Sequence, residues 1–176
     1  MLIREEDTVT DDLTDFADVL AANDTYAKNF ELAGLLPRAA RGLAIVTCMD
    51  SRIEPLDMLG LSPGDAKIIR NAGARVTEDV LRTLALATHL LGVDRIMVVA
   101  HTNCKMASAS REEVIDIVEV ASGIDVRSLD FQLIADQHET LGIDVQKIRS
   151  WPFLPADVAI GGFIYDVDTG RVTHAV

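Results

Sequence analysis

Three apolar runs in the middle of the chain each end in residues that can do chemistry. Leu43-Ala44-Ile45-Val46-Thr47 opens into Cys48-Met49-Asp50-Ser51-Arg52, and Ala66-Lys67-Ile68-Ile69 opens into Arg70-Asn71-Ala72-Gly73. Arg95-Ile96-Met97-Val98-Val99-Ala100 leads to His101-Thr102-Asn103-Cys104. Continuous, partly β-branched runs of this kind suit strands covered on both faces, as in parallel sheets. A helical pattern separates the second run from the third, so the expected class is α/β, with a central, mainly parallel β-sheet flanked by helices. Ligands of such sheets bind beyond the carboxyl ends of the strands. One edge of the sheet is therefore expected to receive all three clusters.

The intervening segments carry helix signals. Thr77 is a good N-cap, with Glu78 and Asp79 where the helix dipole favours anions. Val80, Leu81, Leu84, Ala87 and Leu91 then face the core, Leu86 and Leu90 widen the apolar face, and Gly92 ends the helix. So wide an apolar face implies burial between layers or at an interface, and places His89 on a buried helix. Further on, Ser110 to Ala121 reads as a helix with Val114, Ile117, Val118 and Ala121 on one side, ended by Gly123. Phe131 to Ile148 reads as another, carrying Leu133, Ile134, His138 and Leu141. Pro55 can start a short helix through Leu61, before a Ser62–Asp65 turn. Val158–Val167 and Arg171–Val176 alternate around Asp168-Thr169-Gly170, which predicts a C-terminal hairpin.

Ahead of the first strand, residues 1–10 form an acidic lead-in to an N-terminal helical arm over 1–30. From Asp11, Leu13, Phe16, Ala17, Leu20 and Ala21 make one apolar stripe. Asn23-Asp24 is expected to interrupt it before a second short helix with Tyr26 and Phe30. The stripe packs either on its own sheet or on a neighbouring subunit. With no repeat, linker or low-complexity stretch, the 176 residues are expected to form a single domain, 1–176.

Both cysteines of the chain, Cys48 and Cys104, fall in the strand-end clusters. Two thiolates and the His101 imidazole make a soft-to-borderline ligand set suited to Zn²⁺, and three protein ligands leave a fourth position for water or substrate. A lone Cys or His is more often a packing residue. A Cys48–Cys104 disulfide is the other alternative, and it needs an oxidising compartment. A phosphatase-type Cys loop does not fit, since Arg52 follows Cys48 too closely and no glycine-rich cradle lies between them. The shared sheet edge favours the metal.

The formal net charge of −12 sets nucleic acid aside as a partner, and no local Lys/Arg cluster offsets it. No apolar run is long enough to span a bilayer, so no membrane partner is expected. Met1 to Asp7 lacks the order of a signal peptide, which makes cytoplasm the expected location.

With Cys48-x-Asp50-x-Arg52 followed by His101-x-x-Cys104 at strand ends, the sequence resembles the β-class carbonic anhydrases, in their compact bacterial form. Arg70-Asn71-Ala72-Gly73 and Gly161-Gly162-Phe163-Ile164-Tyr165-Asp166 add to the resemblance. It implies an enzyme, a zinc lyase, with Cys48, His101 and Cys104 binding Zn²⁺ and Asp50 and Arg52 as a catalytic dyad beside it. A guanidinium fork can hold the carboxylate, which then orients the zinc-bound hydroxide that attacks CO₂. In some relatives the aspartate swings onto the metal, so Asp50 is a possible fourth ligand in a closed state. Two thiolates make bound water less acidic on electrostatics alone, and Arg52 can offset part of that. Asn71, Ala72 and Gly73 are expected to line the substrate pocket. Lys105 stands where the family often has Gly, which bears on the pocket mouth and not on the metal. The resemblance also implies a homodimer or a multiple of dimers, with the N-terminal arm on the partner.

The implied reaction is reversible hydration of CO₂ to bicarbonate and a proton. Hydrolysis of carbonyl sulfide or carbon disulfide on the same zinc chemistry is the rival. A non-catalytic zinc- or bicarbonate-binding protein is the alternative of another class, and it has no need of a poised dyad.

Overall fold

A computed structural model describes residues 13–176 of the chain. The expected lead-in over residues 1–10 and the helix start at Asp11 lie outside the described residues. The chain divides into two compact units between Leu35 and Leu36.

In the first unit, a 3₁₀ turn at Leu13–Phe16 leads into helix α1, Ala17–Lys28. The interruption expected at Asn23-Asp24 does not occur. The low helix propensity of these two residues costs only tenths of a kcal/mol each, less than the cooperativity of the flanking turns supplies. No residue of α1 is buried. Phe16, Val19, Leu20, Tyr26 and Phe30 are all exposed.

The second unit is built on strands β1 (Leu43–Cys48), β2 (Ala66–Asn71), β3 (Arg95–His101), β4 (Ala159–Tyr165) and β5 (Val172–His174). They form one sheet in the order β2-β1-β3-β4-β5. All pairings are parallel except β4 with β5, the expected hairpin. Helices α2 (Glu78–Leu90), α3 (Lys105–Ser108), α4 (Arg111–Ser122) and α5 (Gln137–Arg149) complete the unit. No helix among the described residues is long and apolar enough to cross a membrane.

One face of the sheet, with Ala44, Val46, Ile96 and Val98, packs against Val80, Leu84 and Ala87 of α2 and Leu141, Val145 and Ile148 of α5. The other face, with Leu43, Ile45 and Val99, is covered by Met58, Leu59 and Leu61 from the β1–β2 connection. Strand β1 is buried at every position, as its unbroken apolar run requires.

The caps behave as local chemistry dictates. The Thr77 side chain accepts from the Val80 N–H, Ser110 forms a capping box with Glu113, and Gly123 closes α4 at φ 70°. Several expectations need correction. Leu86, Leu90 and His89 of α2 are exposed, so the helix buries one face only. The buried residue of α4 is Ile115, while Ile117 is exposed. The Pro55–Leu61 helix shrinks to a 3₁₀ turn over Asp57–Leu59, stopped by Gly60 at φ 63°. The helix expected from Phe131 begins at Gln137, because Asp136 caps it by accepting from the Glu139 N–H and Gln132 takes a left-handed φ of 54°. His138 is exposed.

Gly162 brings β4 close against α5. A Cβ there would sit 3.0 Å from Val145 Cγ2 and 3.1 Å from Leu141 Cγ, and would collide with Val176. Gly162→Ala is expected to destabilise the protein by about 1–3 kcal/mol through overpacking, read as a lowered urea midpoint with unchanged m-value.

Candidate metal centre

Strand order changes direction at β1. The chain passes from β1 to β2 on one side and returns to β3 on the other, and such a switch point leaves a crevice beyond the strand ends. Thr47 pairs with Val99 in the β1–β3 register, and the buried Thr47 hydroxyl donates to the Val99 carbonyl at 3.0 Å. Cys48 and His101, each the last residue of its strand, therefore reach the same crevice. Cys104 joins them from the turn before α3. The two Sγ atoms and a ring nitrogen of His101 lie within 4.8 Å of one another, and all three residues are buried.

The His101 tautomer follows from its neighbours. Nδ1 lies 2.8 Å from the Thr102 carbonyl oxygen, which can only accept, so Nδ1 carries the proton. Nε2 is then a free lone pair, buried and without a hydrogen-bond partner. A buried acceptor left so is costly unless something binds it. Burial holds the His101 pKa down, which keeps the ring neutral, and burial pushes the Cys104 thiol up. A divalent cation reverses the second effect by stabilising the thiolate. The donor set fits Zn²⁺, with the ring oriented by a backbone carbonyl as histidine ligands usually are.

Asp50 and Arg52 stand at the rim. Arg52 Nε donates to Asp50 Oδ1 at 2.9 Å and Nη2 to Oδ2 at 2.8 Å, a bidentate fork, and the Arg52 backbone N–H adds a third bond to Oδ1 at 3.0 Å. These donors hold the Asp50 carboxyl well below the usual carboxylate range. Oδ2 is 3.9 Å from His101 Nε2. Arg52 Nη2 also donates to the Asn103 carbonyl at 3.1 Å, tying the β1 loop to the β3 loop. A half-exposed ion pair contributes little as Coulomb energy; what the fork contributes is geometry.

A cavity of about 430 Å³ opens over the centre, and Met49, Ala72 and Met106 line it together with Asp50, Arg52 and Lys105. Of the three residues expected to line the pocket, Ala72 does so. The Asn71 side chain instead closes a turn onto the Arg75 backbone, and the Gly73 N–H faces Cys48 Sγ at 3.3 Å.

Sequence reasoning missed Arg70 as a clasp, whose Nε and Nη2 donate to the carbonyls of Cys48 and Asp50 at 2.9 and 2.7 Å. It also missed Gln137, whose Nε2 donates to the His101 carbonyl at 2.6 Å. Its position at the start of a helix distant in sequence leaves no local signal. Met49 and Met106, one and two residues after a cysteine, could have been found from that closeness.

The sequence matches the family described as carbonic anhydrase over residues 43–172. It is 36% identical over 168 residues to beta-carbonic anhydrase 1 of Mycobacterium tuberculosis, covering 95% of this chain and 98% of the relative. A carbon disulfide hydrolase of Acidianus is 33% identical over 156 residues, covering 75% of this chain and 76% of the relative. Among solved structures, the carbonic anhydrase of Streptococcus mutans superposes with a TM-score of 0.86 at 38% identity, covering 92% of this chain and 97% of that one.

Wild-type protein is expected to purify with close to one zinc per chain by elemental analysis. Cys104→Ser should lose most of it, since a serine hydroxyl stays protonated where a thiolate would ligate.

Proposed function

Because the chain belongs to the β-carbonic anhydrase family, we propose that it catalyses reversible hydration of CO₂ to bicarbonate and a proton, at Zn²⁺ held by Cys48, His101 and Cys104. The observation that carries this reading is the buried, partnerless Nε2 of His101 facing two thiols, with an arginine-clamped carboxylate beside it. Bound Zn²⁺ supplies Lewis acidity, which brings the pKa of water towards neutrality.

The remaining work falls to side chains. Asp50, kept ionised by Arg52, offers only acceptor lone pairs. Oδ2 therefore takes a hydrogen bond from the attacking hydroxide, left when the water gives its other proton to solvent, and leaves a lone pair of that hydroxide for the carbon of CO₂. Arg52 keeps the carboxylate from rotating, since both oxygens are held. With both oxygens so occupied Asp50 stands outside the ligand set, which supports an open fourth position. Met49, Ala72 and Met106 give an apolar gas an apolar approach, and Arg52 and Lys105 are counter-charges for the departing anion. A non-catalytic binding role leaves the Asp50–Arg52 fork without a purpose.

Hydrolysis of carbon disulfide or carbonyl sulfide is the second reading. It is favoured by the likeness to a carbon disulfide hydrolase and by the thioethers of Met49 and Met106 in the cavity wall, because polarizable sulfur suits a polarizable substrate.

Stopped-flow CO₂ hydration by zinc-quantified protein, with carbonyl sulfide and carbon disulfide in parallel, separates the two. Asp50→Asn is expected to keep its zinc and lose turnover by on the order of a hundredfold or more. Full activity in that variant overturns the role given to the dyad.

We also propose a homodimer, or a multiple of dimers, joined through the N-terminal arm. The exposed Phe16, Val19, Leu20, Tyr26 and Phe30 support this. A cytoplasmic location keeps the two buried free cysteines reduced for metal. Truncation before Ala22 is expected to weaken self-association in light scattering, and an unchanged oligomer counts against the arm as an interface.

A further inference from the structure

Asp144 on α5 is the only buried carboxylate among the described residues, and it lies outside the cavity and the dyad. Its Oδ2 accepts from Arg75 Nε at 2.8 Å and from the Val76 N–H at 3.2 Å, and its Oδ1 accepts from Lys147 Nζ at 2.7 Å. A buried ion pair is weak grounds for stability, because apolar residues of similar volume often serve as well. The contacts of Arg75 show what the pair holds in place.

Arg75 Nη1 donates to the Gln132 carbonyl at 2.7 Å. Its backbone N–H and carbonyl are both taken by the Asn71 side chain, at 2.8 and 2.7 Å. Between Asn71 and Arg75 the backbone passes through two successive left-handed residues, Gly73 at φ 82° and Ala74 at φ 57°. Glycine takes this region freely and alanine does not. Strain of this kind persists only where the surroundings over-determine it, and the bonds from Asn71, Gln132 and Asp144 do so. The strained turn aims the Gly73 N–H at Cys48 Sγ, 3.3 Å away. The far side of the turn is packed as well, since a Cβ on Gly73 would sit 3.3 Å from Met106 Cβ and 3.1 Å from Ile134 Cδ1.

We infer that Asp144 and Arg75 are positioning residues for the metal centre, which act through the strained 72–74 turn to hold the Gly73 N–H on the Cys48 sulfur. The inference rests on Cys48 being a metal ligand. A thiolate accepts a hydrogen bond far better than a thiol does. An N–H on that sulfur stabilises it as a thiolate against protonation and fixes the direction in which it faces the metal. Groups that orient a ligand in this way are usually felt in metal affinity as well as in rate.

The test compares wild type with Asp144→Asn, as zinc protein and with Co²⁺ in place of zinc. Chelator competition is expected to show zinc held about tenfold more weakly, and the sulfur-to-cobalt charge-transfer band is expected to shift. Adding Ala74→Gly to Asp144→Asn should restore most of both, since glycine adopts the left-handed turn without the clamp. A merely structural role lowers the melting temperature and leaves the band in place. If Asp144→Asn does not fold, Arg75→Lys is read in the same way. A folded variant with unchanged affinity and band overturns the inference. Wild-type protein that takes up no stoichiometric metal overturns the ligand assignment itself, and this inference with it.

Discussion

The parallel pairing of β1 with β3 is the constraint on which the rest depends. The two strands are distant in sequence, and only their register brings Cys48 and His101 to one end of the sheet. A slip of one residue would turn every β1 side chain to the opposite face. The buried Thr47 hydroxyl, bonded to the Val99 carbonyl, and the wholly buried β1 side chains stand against such a slip. The core on both faces of the sheet is thus also the jig for the site.

Arginines carry that order outward into the loops. Arg70 clasps the carbonyls that follow β1, Arg52 joins the β1 loop to the β3 loop while holding Asp50, and Arg75 ties the turn after β2 to α5. Each uses the planar guanidinium to fix more than one acceptor, a task to which a lysine ammonium is poorly matched. These bonds add direction to the apolar contacts of the loops, where Ile53 and Ala74 are buried beside Cys48 and Cys104. Rigid strands with arginine-braced loops hold Cys48, His101, Cys104 and the Asp50–Arg52 pair at fixed separations.

Much of the site was legible in the sequence. Runs such as Leu43–Thr47 announce a buried strand, and a polar cluster directly after each run announces a ligand edge. The α2 and α4 termini followed from Thr77, Ser110 and Gly123, whose capping chemistry lies within a few residues. Misreadings arose where tertiary contacts compete with local pattern. The periodic stretch from Phe131 is not helical before Gln137; there Gln132 turns left-handed and gives its carbonyl to Arg75. In α4 the apolar residues fall on more than one side, and only packing selects Ile115 as the buried one.

By itself the sequence determined the α/β class and the strand ends at which polar clusters gather, and it offered Cys48, His101 and Cys104 as a candidate ligand set, with the Asp50–Arg52 pair added by the resemblance. Strand class and strand ends are matters of residue type and short spacing, which hydrophobic period makes readable. The free nitrogen of His101, the double grip of Arg52 on Asp50 and Asn103, and the reach of Asp144 to the turn beside Cys48 were decided only by the tertiary structure. Hydrogen bonds are short and directional. Between residues far apart in sequence they exist only once packing and register have placed donor and acceptor within reach.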